Sequence, residues 1–105
     1  MKDYIEINKE LIPYTFDISL ADEIFTLEIK YNTTVDLFTV GLYKEGELIC
    51  AGEPIIYGQP LFGDLFINGK YPELTIIPLD ESENANAVTY DNLNDTVYLV
   101  VDNGE

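Results

Sequence analysis

Acidic side chains dominate the reactive groups of this chain, and few other groups accompany them. The 105 residues include 20 Asp and Glu, 5 Lys, 1 Cys and no His, and the formal charge is -15. A catalytic cysteine needs a base, usually His, to generate its thiolate. Cys50 has no such base and lies in the apolar sequence LICAGE. We therefore predict that Cys50 is a small buried hydrophobic residue, and a lone cysteine forms no intrachain disulfide.

The carboxylates could bind calcium or catalyse glycoside hydrolysis, but their spacing matches neither use. A calcium loop starting at Asp91 would place Leu93 where an oxygen ligand is required and Thr96 where glycine is required. The acidic segment 80–83 fits no metal-binding loop pattern, and we predict that it is a solvated turn. A glycosidase pair could be chosen arbitrarily among so many acids, and no motif selects one. We predict no enzyme activity, no catalytic residue, no metal site and no cofactor.

The net charge restricts the partners of the protein. Nucleic acids and anionic membranes would repel the chain, whereas a basic protein would attract it. The same acidity also favours solubility, independently of any partner. Acidic residues interrupt the first 14 positions, and no apolar stretch is long enough to span a membrane. These features predict synthesis in the cytoplasm without export by a visible signal, and no nucleic-acid or membrane partner.

The pattern of apolar residues predicts a single β domain over residues 1–105. The chain is 47% hydrophobic with 8 Tyr and 5 Phe, which is typical of a folded core. Alternate positions are apolar over residues 12–20 and again over 25–31, which predicts an antiparallel hairpin. A further strand pair is predicted on either side of Gly46, because glycine accepts the positive φ of a short hairpin loop.

The second half of the chain contains shorter strand signals. Residues 74–79 resemble an edge strand because Pro78 lacks one donor, and residues 96–101 are rich in β-branched and aromatic residues. Asn68-Gly69 suits either a hairpin turn or a longer loop. We predict a loop over residues 80–86 and a frayed tail over residues 102–105. No segment keeps a helical period over three turns. We predict an all-β sandwich or partly open barrel of six to eight mostly antiparallel strands.

Aromatic residues fall into two predicted groups. The core candidates lie in strand-like segments: Phe16, Phe25, Tyr31, Phe38 and Tyr43. The surface candidates lie in loops: Tyr57, Phe62, Phe66, Tyr71 and Tyr90. Exposed rings could stack on sugars, although an apolar surface patch more often marks a protein interface.

The order of these segments resembles a family of short phage proteins related to the cyanophage baseplate plug domain, found in contractile tails and prophages. The resemblance covers nearly the whole chain. It includes Ile12-Pro13, FTLEIKYN over residues 25–32, VGLYKEGELICAGEPIIYGQPLF over residues 40–62 and a weaker match over residues 88–101. Its most distinctive part is the pair of Gly-x-Pro motifs in residues 52–62.

The resemblance implies a non-enzymatic structural component of the virion tail or baseplate, near the tail tube or hub, whose partners are other tail proteins. The candidate contact loop consists of residues 52–62. The residues predicted to form the contact are Gly52, Pro54, Tyr57, Gly58, Pro60 and Phe62. Rigid corners made only to turn the chain would have the same composition. The alternatives are a carbohydrate- or receptor-binding β module and an unrelated cytoplasmic interaction domain, and the oligomeric state stays open.

Overall fold

The computed structural model describes residues 3–20, 22–62, 75–80, 82 and 84–102. Within these residues, a short 3-10 helix at Lys9–Leu11 and seven strands make up the regular structure. The strands are β1 (Asp3–Ile5), β2 (Tyr14–Leu20), β3 (Glu23–Asn32), β4 (Leu37–Lys44), β5 (Glu47–Pro54), β6 (Thr75–Asp80) and β7 (Val97–Asp102). The predicted all-β class is confirmed.

Strands β2 to β5 form a four-stranded antiparallel sheet in sequence order. Both predicted hairpins are present in it. Glu45 and Gly46, which join β4 to β5, have φ values of 53° and 80°. Two consecutive positive φ values match the tight turn whose twist suits a hairpin, and this explains the glycine.

The other sheet has three strands in the order β1, β7, β6, and both pairings are antiparallel. Strand β6 lies at its edge, as Pro78 predicts, because proline cannot donate to a second neighbour. Strand β1 was not predicted. It joins the sheet through pairing with β7, in which Tyr4 lies opposite Val100.

The core lies between the two sheets, so the fold is a sandwich and not a closed barrel. Phe25, Leu27 and Phe38 from the four-stranded sheet belong to the same buried cluster as Ile76 and Leu99 from the three-stranded sheet. The remaining buried members of this cluster are Ile5, Ile7, Leu20, Ile29, Val40, Leu42, Ile55, Leu61, Phe62, Val88, Leu93 and Val97.

Most predicted core aromatics do face this cluster. Phe25 and Phe38 are fully buried, and Phe16 and Tyr31 are partly buried against the core. The prediction is wrong for Tyr43. Its neighbour Leu42 points into the core, and consecutive strand residues point to opposite faces, so Tyr43 lies on the outer face.

Cys50 is only half-buried and packs at the margin of the core. Burial, reinforced by the charge of Glu53, raises the pKa of its thiol. The thiol therefore stays protonated, in line with a packing role.

The predicted loop after β6 is organised by Asp80. Asp80 is 5% exposed, and its carboxylate accepts hydrogen bonds from the backbone and hydroxyl of Ser82 and from the backbone of Ala85. The Ser82 hydroxyl bond is the largest cause of a lowered pKa for Asp80. Several predictions concern residues outside the described part of the chain: the Asn68-Gly69 turn, the rings of Phe66 and Tyr71, and residues 103–105 of the predicted tail.

Candidate protein-contact surfaces

Residues 52–62, the predicted contact loop, cross from one sheet to the other. Ile55 N–H donates to the carbonyl of Phe38 in β4, over 2.9 Å. On the opposite side, Gly58 N–H donates to the Pro78 carbonyl over 3.0 Å and Leu61 N–H to the Ile76 carbonyl over 2.7 Å. The segment is therefore fixed to both layers and covers part of the edge of β6.

Several side chains of this loop point inward. Ile55, Leu61 and Phe62 are at most 2% exposed and belong to the core. Tyr57 is half-buried, and its hydroxyl accepts a hydrogen bond from the Asp80 backbone N–H at 3.2 Å. The prediction of Phe62 as a surface aromatic is wrong, because the loop turns back and inserts this ring between the sheets.

The outward part of the loop is short. Ile56 is 41% exposed, and Gly58, Gln59 and Pro60 follow it at the surface. Gly52, also exposed, has φ +64°, a conformation that costs side-chain-bearing residues energy. Pro54 is partly buried at the end of β5. The role of this loop as a contact element stays a prediction. Of the six predicted residues, Gly52, Gly58 and Pro60 are exposed, and Ile56 and Gln59 are exposed beside them.

A second candidate surface is the outer face of the three-stranded sheet. Tyr4 of β1 lies opposite Val100 of β7, which lies opposite Ile77 of β6. Tyr98 and Leu79 are the next pair on the same face. None of these five residues belongs to the core or packs against it, whereas the alternating residues Ile76 and Leu99 do. We call these five residues, Tyr4, Ile77, Leu79, Tyr98 and Val100, the apolar outer face.

Two tyrosines project from the apolar outer face. The ring centroids of Tyr4 and Tyr98 are 4.6 Å apart with an interplanar angle of 58°. The Tyr98 hydroxyl donates to the carbonyl of Asp95 over 2.9 Å, which holds its ring in one orientation. Tyr4 is 43% exposed, and Val100 is only 6% exposed although it does not face the core.

The outer face of the four-stranded sheet has a different character. Strands β2 and β3 place these polar residues on it: Thr15, Asp17, Ser19, Thr26, Glu28 and Lys30. The hydroxyl of Thr26 donates to Asp17 over 2.6 Å. Exposed Ile24 and Leu48 also lie on this face, and Leu48 is opposite Tyr43. Strands β2 and β3 alternate between apolar and polar residues, as expected of a sheet with one side in water, whereas β6 and β7 do not.

A third surface feature is an aromatic cluster beside the turn after β3. The Tyr31 ring lies 4.7 Å from Phe38 and 5.1 Å from Tyr90, measured between centroids. Asp36 accepts hydrogen bonds from the Tyr31 hydroxyl at 2.6 Å and from the Tyr90 backbone at 2.9 Å. The hydrogen bond between Tyr31 and Asp36 is the main cause that raises the pKa of Tyr31 to about 12. The same bond is the main cause that lowers the pKa of Asp36.

The exposed ring in that cluster, Tyr90, is already engaged by neighbours. Phe38 stacks on it, and the ammonium of Lys9 lies 5.1 Å from its centroid while also donating to its carbonyl. A sugar platform needs a free ring face. The geometry therefore favours a packing role for Tyr90 over the carbohydrate-binding alternative.

Comparison with known proteins decides the family. Residues 2–104 match the model of the family described as "Cyanophage baseplate Pam3 plug gp18". The chain belongs to this baseplate plug family. The match spans nearly the whole sequence and confirms the resemblance, and it supports a structural component of a phage baseplate. A search of curated proteins found no match.

We also searched this baseplate plug protein for metal sites and for membrane-spanning helices. In the described part of the chain, no group of three or more Cys, Asp or Glu residues is arranged to hold a metal ion. The described residues also contain no helix long and apolar enough to cross a membrane.

Sequence reasoning missed the apolar outer face of this plug-family protein. The signal was present, because residues 97–101 are apolar at consecutive positions and not only at alternate ones. In a sheet, such a run indicates that both faces are shielded from water.

Proposed function

We propose that this protein is a non-enzymatic component of a contractile-tail baseplate that acts through protein contacts near the tail tube or hub. The match of residues 2–104 to the baseplate plug family carries this proposal. The protein is synthesised in the host cytoplasm and becomes part of the virion tail on assembly. Its partners are other tail or baseplate proteins.

The geometry of the described residues supports a role in contact. The loop of residues 52–62 is fixed to both sheets by backbone hydrogen bonds, so it presents Ile56 and Pro60 in a defined position. On the apolar outer face, Tyr4 is 43% exposed and offers a further position for contact. A formal charge of -15 favours basic neighbours and disfavours nucleic acid.

Localisation in assembled particles tests the proposal. Mass spectrometry of phage or tail particles purified from cells that encode the protein should detect the chain. Gold-labelled antibody should mark the distal end of the tail. A deletion strain complemented with the wild-type gene provides the matched control for antibody specificity.

The two possible outcomes are distinct. Labelling at the baseplate supports the proposal. Reproducible absence from intact particles would overturn it and leave a cellular or accessory binding role.

A further inference from the structure

We propose that the outer edge of β2 binds an extended segment of a neighbouring baseplate protein, which adds to the four-stranded sheet as a further strand and places a Lys or Arg opposite Asp17. This inference rests on the proposed baseplate function and names the edge, the mode of binding and the chemistry of the partner.

The backbone of β2 has hydrogen-bonding groups that point away from its sheet. Strand β2 lies at the edge of the sheet and pairs with β3 on its inner side. Two residues separate Leu20 from its partner Glu23, and the closing pair of so short a hairpin exchanges hydrogen bonds. These bonds alternate along a strand, so the N–H and C=O groups of Thr15, Asp17 and Ser19 face outward. Within the described residues, these backbone groups have no hydrogen-bond partner.

The other three edges of the two described sheets each carry a feature that hinders strand addition. Strand β1 has only three residues. On β6, Pro78 lacks an N–H, and Gly58 and Leu61 already bond to the edge carbonyls. The register of β5 against β4 shifts twice, and its end contains Gly52 at positive φ and Pro54. Natural sheets use such devices against unwanted pairing, whereas β2 pairs in unbroken register over seven residues and contains no Gly, Pro or Lys.

The core-facing side chains of β2 are also incompletely covered. In the neighbouring β3, the core-facing residues Phe25, Leu27 and Ile29 are at most 1% exposed. Their partners on β2 pack against the core but are only partly buried: Ile18, Phe16 and Tyr14. The apolar layer therefore continues to the edge. An added strand with apolar residues at alternate positions would cover it while its backbone bonds to β2.

Asp17 specifies the occupant of this edge. Its exposed side chain lies at the middle of β2, on the outer face of the sheet. In the longest antiparallel overlap of two β2 strands, the two Asp17 carboxylates would lie directly opposite each other, which is unfavourable. A partner strand with Lys or Arg at this position would form a favourable cross-strand pair. The edge therefore selects a basic, alternating segment of another protein over a second copy.

Proline substitution tests the edge directly, because proline removes one outward N–H and is tolerated on an edge strand. In the complemented deletion strain, Asp17→Pro should lower incorporation into particles about tenfold relative to Asp17→Ala, since it removes a central hydrogen bond to the partner. Asp17→Ala, the matched control, keeps the N–H and should lower incorporation about two- to fivefold relative to wild type through loss of the charge pair. Thermal unfolding of the purified variants establishes that each is folded.

Hydrogen exchange of the wild-type protein gives a measurement that needs no variant. The amides of Thr15, Asp17 and Ser19 should exchange at least about tenfold more slowly in particles than in the free protein, because the added strand gives them a partner. This measurement decides the question if Asp17→Pro does not fold.

Crosslinking in intact particles identifies the partner. A photo-crosslinking phenylalanine analogue is placed at Thr15 or, as the control, at Lys30, which is exposed on the same outer face but in β3. Thr15 should crosslink to another baseplate protein and Lys30 should not. The crosslinked peptide should contain alternating apolar residues and a Lys or Arg.

The outcomes separate this inference from the proposed function. Wild-type protein in the baseplate, with unchanged amide exchange in β2 and equal incorporation of the proline and alanine variants, would overturn the strand addition and leave the function intact. Crosslinking of Thr15 to a second copy, or equal crosslinking from Lys30, would also overturn it. Absence of wild-type protein from particles would overturn both.

Discussion

The backbone N–H of Phe62 donates a hydrogen bond to Oε2 of Glu53 over 2.8 Å. This bond joins the end of the cross-sheet loop to β5, near the loop's beginning. Ile55 and Leu61, which belong to the same loop, are also buried. The buried residues Ile55, Leu61 and Phe62 stabilise the fold, and the exposed residues between Ile55 and Leu61 can be reached by a partner.

Substitutions within this loop should therefore divide by position. Phe62→Ala should lower the free energy of unfolding by about 3–5 kcal/mol, because it leaves a cavity between the sheets. Pro60→Ala, at an exposed position, should lower it by no more than about 1 kcal/mol, because it only restores backbone freedom to the unfolded chain. Urea unfolding followed by circular dichroism measures both. Equal stability of the two variants would contradict the placement of the Phe62 ring.

Two glycines should respond oppositely to the same change. Gly41 lies in β4, and a Cβ there would lie 3.5 Å from the Glu28 Cβ and 3.6 Å from the Tyr43 ring, which is ordinary contact. Gly41→Ala should therefore stabilise the fold by about 0.4–1 kcal/mol by restricting the unfolded chain.

Gly52 provides the matched comparison, because a Cβ there meets nothing within 4 Å but φ is +64°. Gly52→Ala should destabilise the fold by about 1–2 kcal/mol through backbone strain alone. Thermal unfolding of the two variants measures the difference. A stabilising Gly52→Ala would contradict the left-handed conformation of this residue.

The Tyr31–Asp36 hydrogen bond predicts a change of stability at alkaline pH. The pKa of Tyr31 rises from 10.0 to about 12 in the folded protein. The neutral phenol is favoured in the fold, so its stabilising contribution is complete below the unfolded pKa of 10.0 and is lost as pH rises through about 12. Absorbance titration of wild type and Tyr31→Phe should reveal this late-ionising tyrosine.

Asp36→Asn is the companion variant for this titration. Removing the carboxylate should move the Tyr31 pKa back toward its ordinary value. A Tyr31 titration that does not change in this variant would show that Asp36 is not its cause.

Asp80 predicts a change of stability at acid pH. Its hydrogen bonds, first of all that from the Ser82 hydroxyl, lower its pKa below the ordinary 3.8. The carboxylate therefore contributes stability above pH 3.8, and the contribution is lost as pH falls through the lowered folded pKa. The stability difference between wild type and Asp80→Asn should shrink over this interval. Ser82→Ala should reduce the pH dependence in part, and a pH-independent difference would contradict the assignment.

The sequence predicted those parts of the fold that local patterns determine. Alternation identified β2 and β3, and Gly46 identified the turn between β4 and β5. Strand β1 has only three residues, and it is fixed by pairing with β7 at the far end of the chain, which no local pattern reveals. Phe62 was misplaced because a segment rich in Gly and Pro resembles a surface loop, although tertiary packing buries its end.

The apolar outer face could not be predicted from the sequence for a different reason. Consecutive apolar residues in β7 indicate two covered faces, but they do not indicate which face meets the core. Only the register of Tyr4, Val100 and Ile77 places them together on one side.

The order of the strands also has a consequence for biosynthesis. Each pairing in the four-stranded sheet joins strands adjacent in sequence, so that sheet can form while the chain is still emerging from the ribosome. The three-stranded sheet needs Asp3 to pair with Val101, a closure across almost the full length and therefore entropically slow. We expect the surface that contains Tyr4 and Tyr98 to be completed last, so that a nascent chain or one shortened before β7 never presents it.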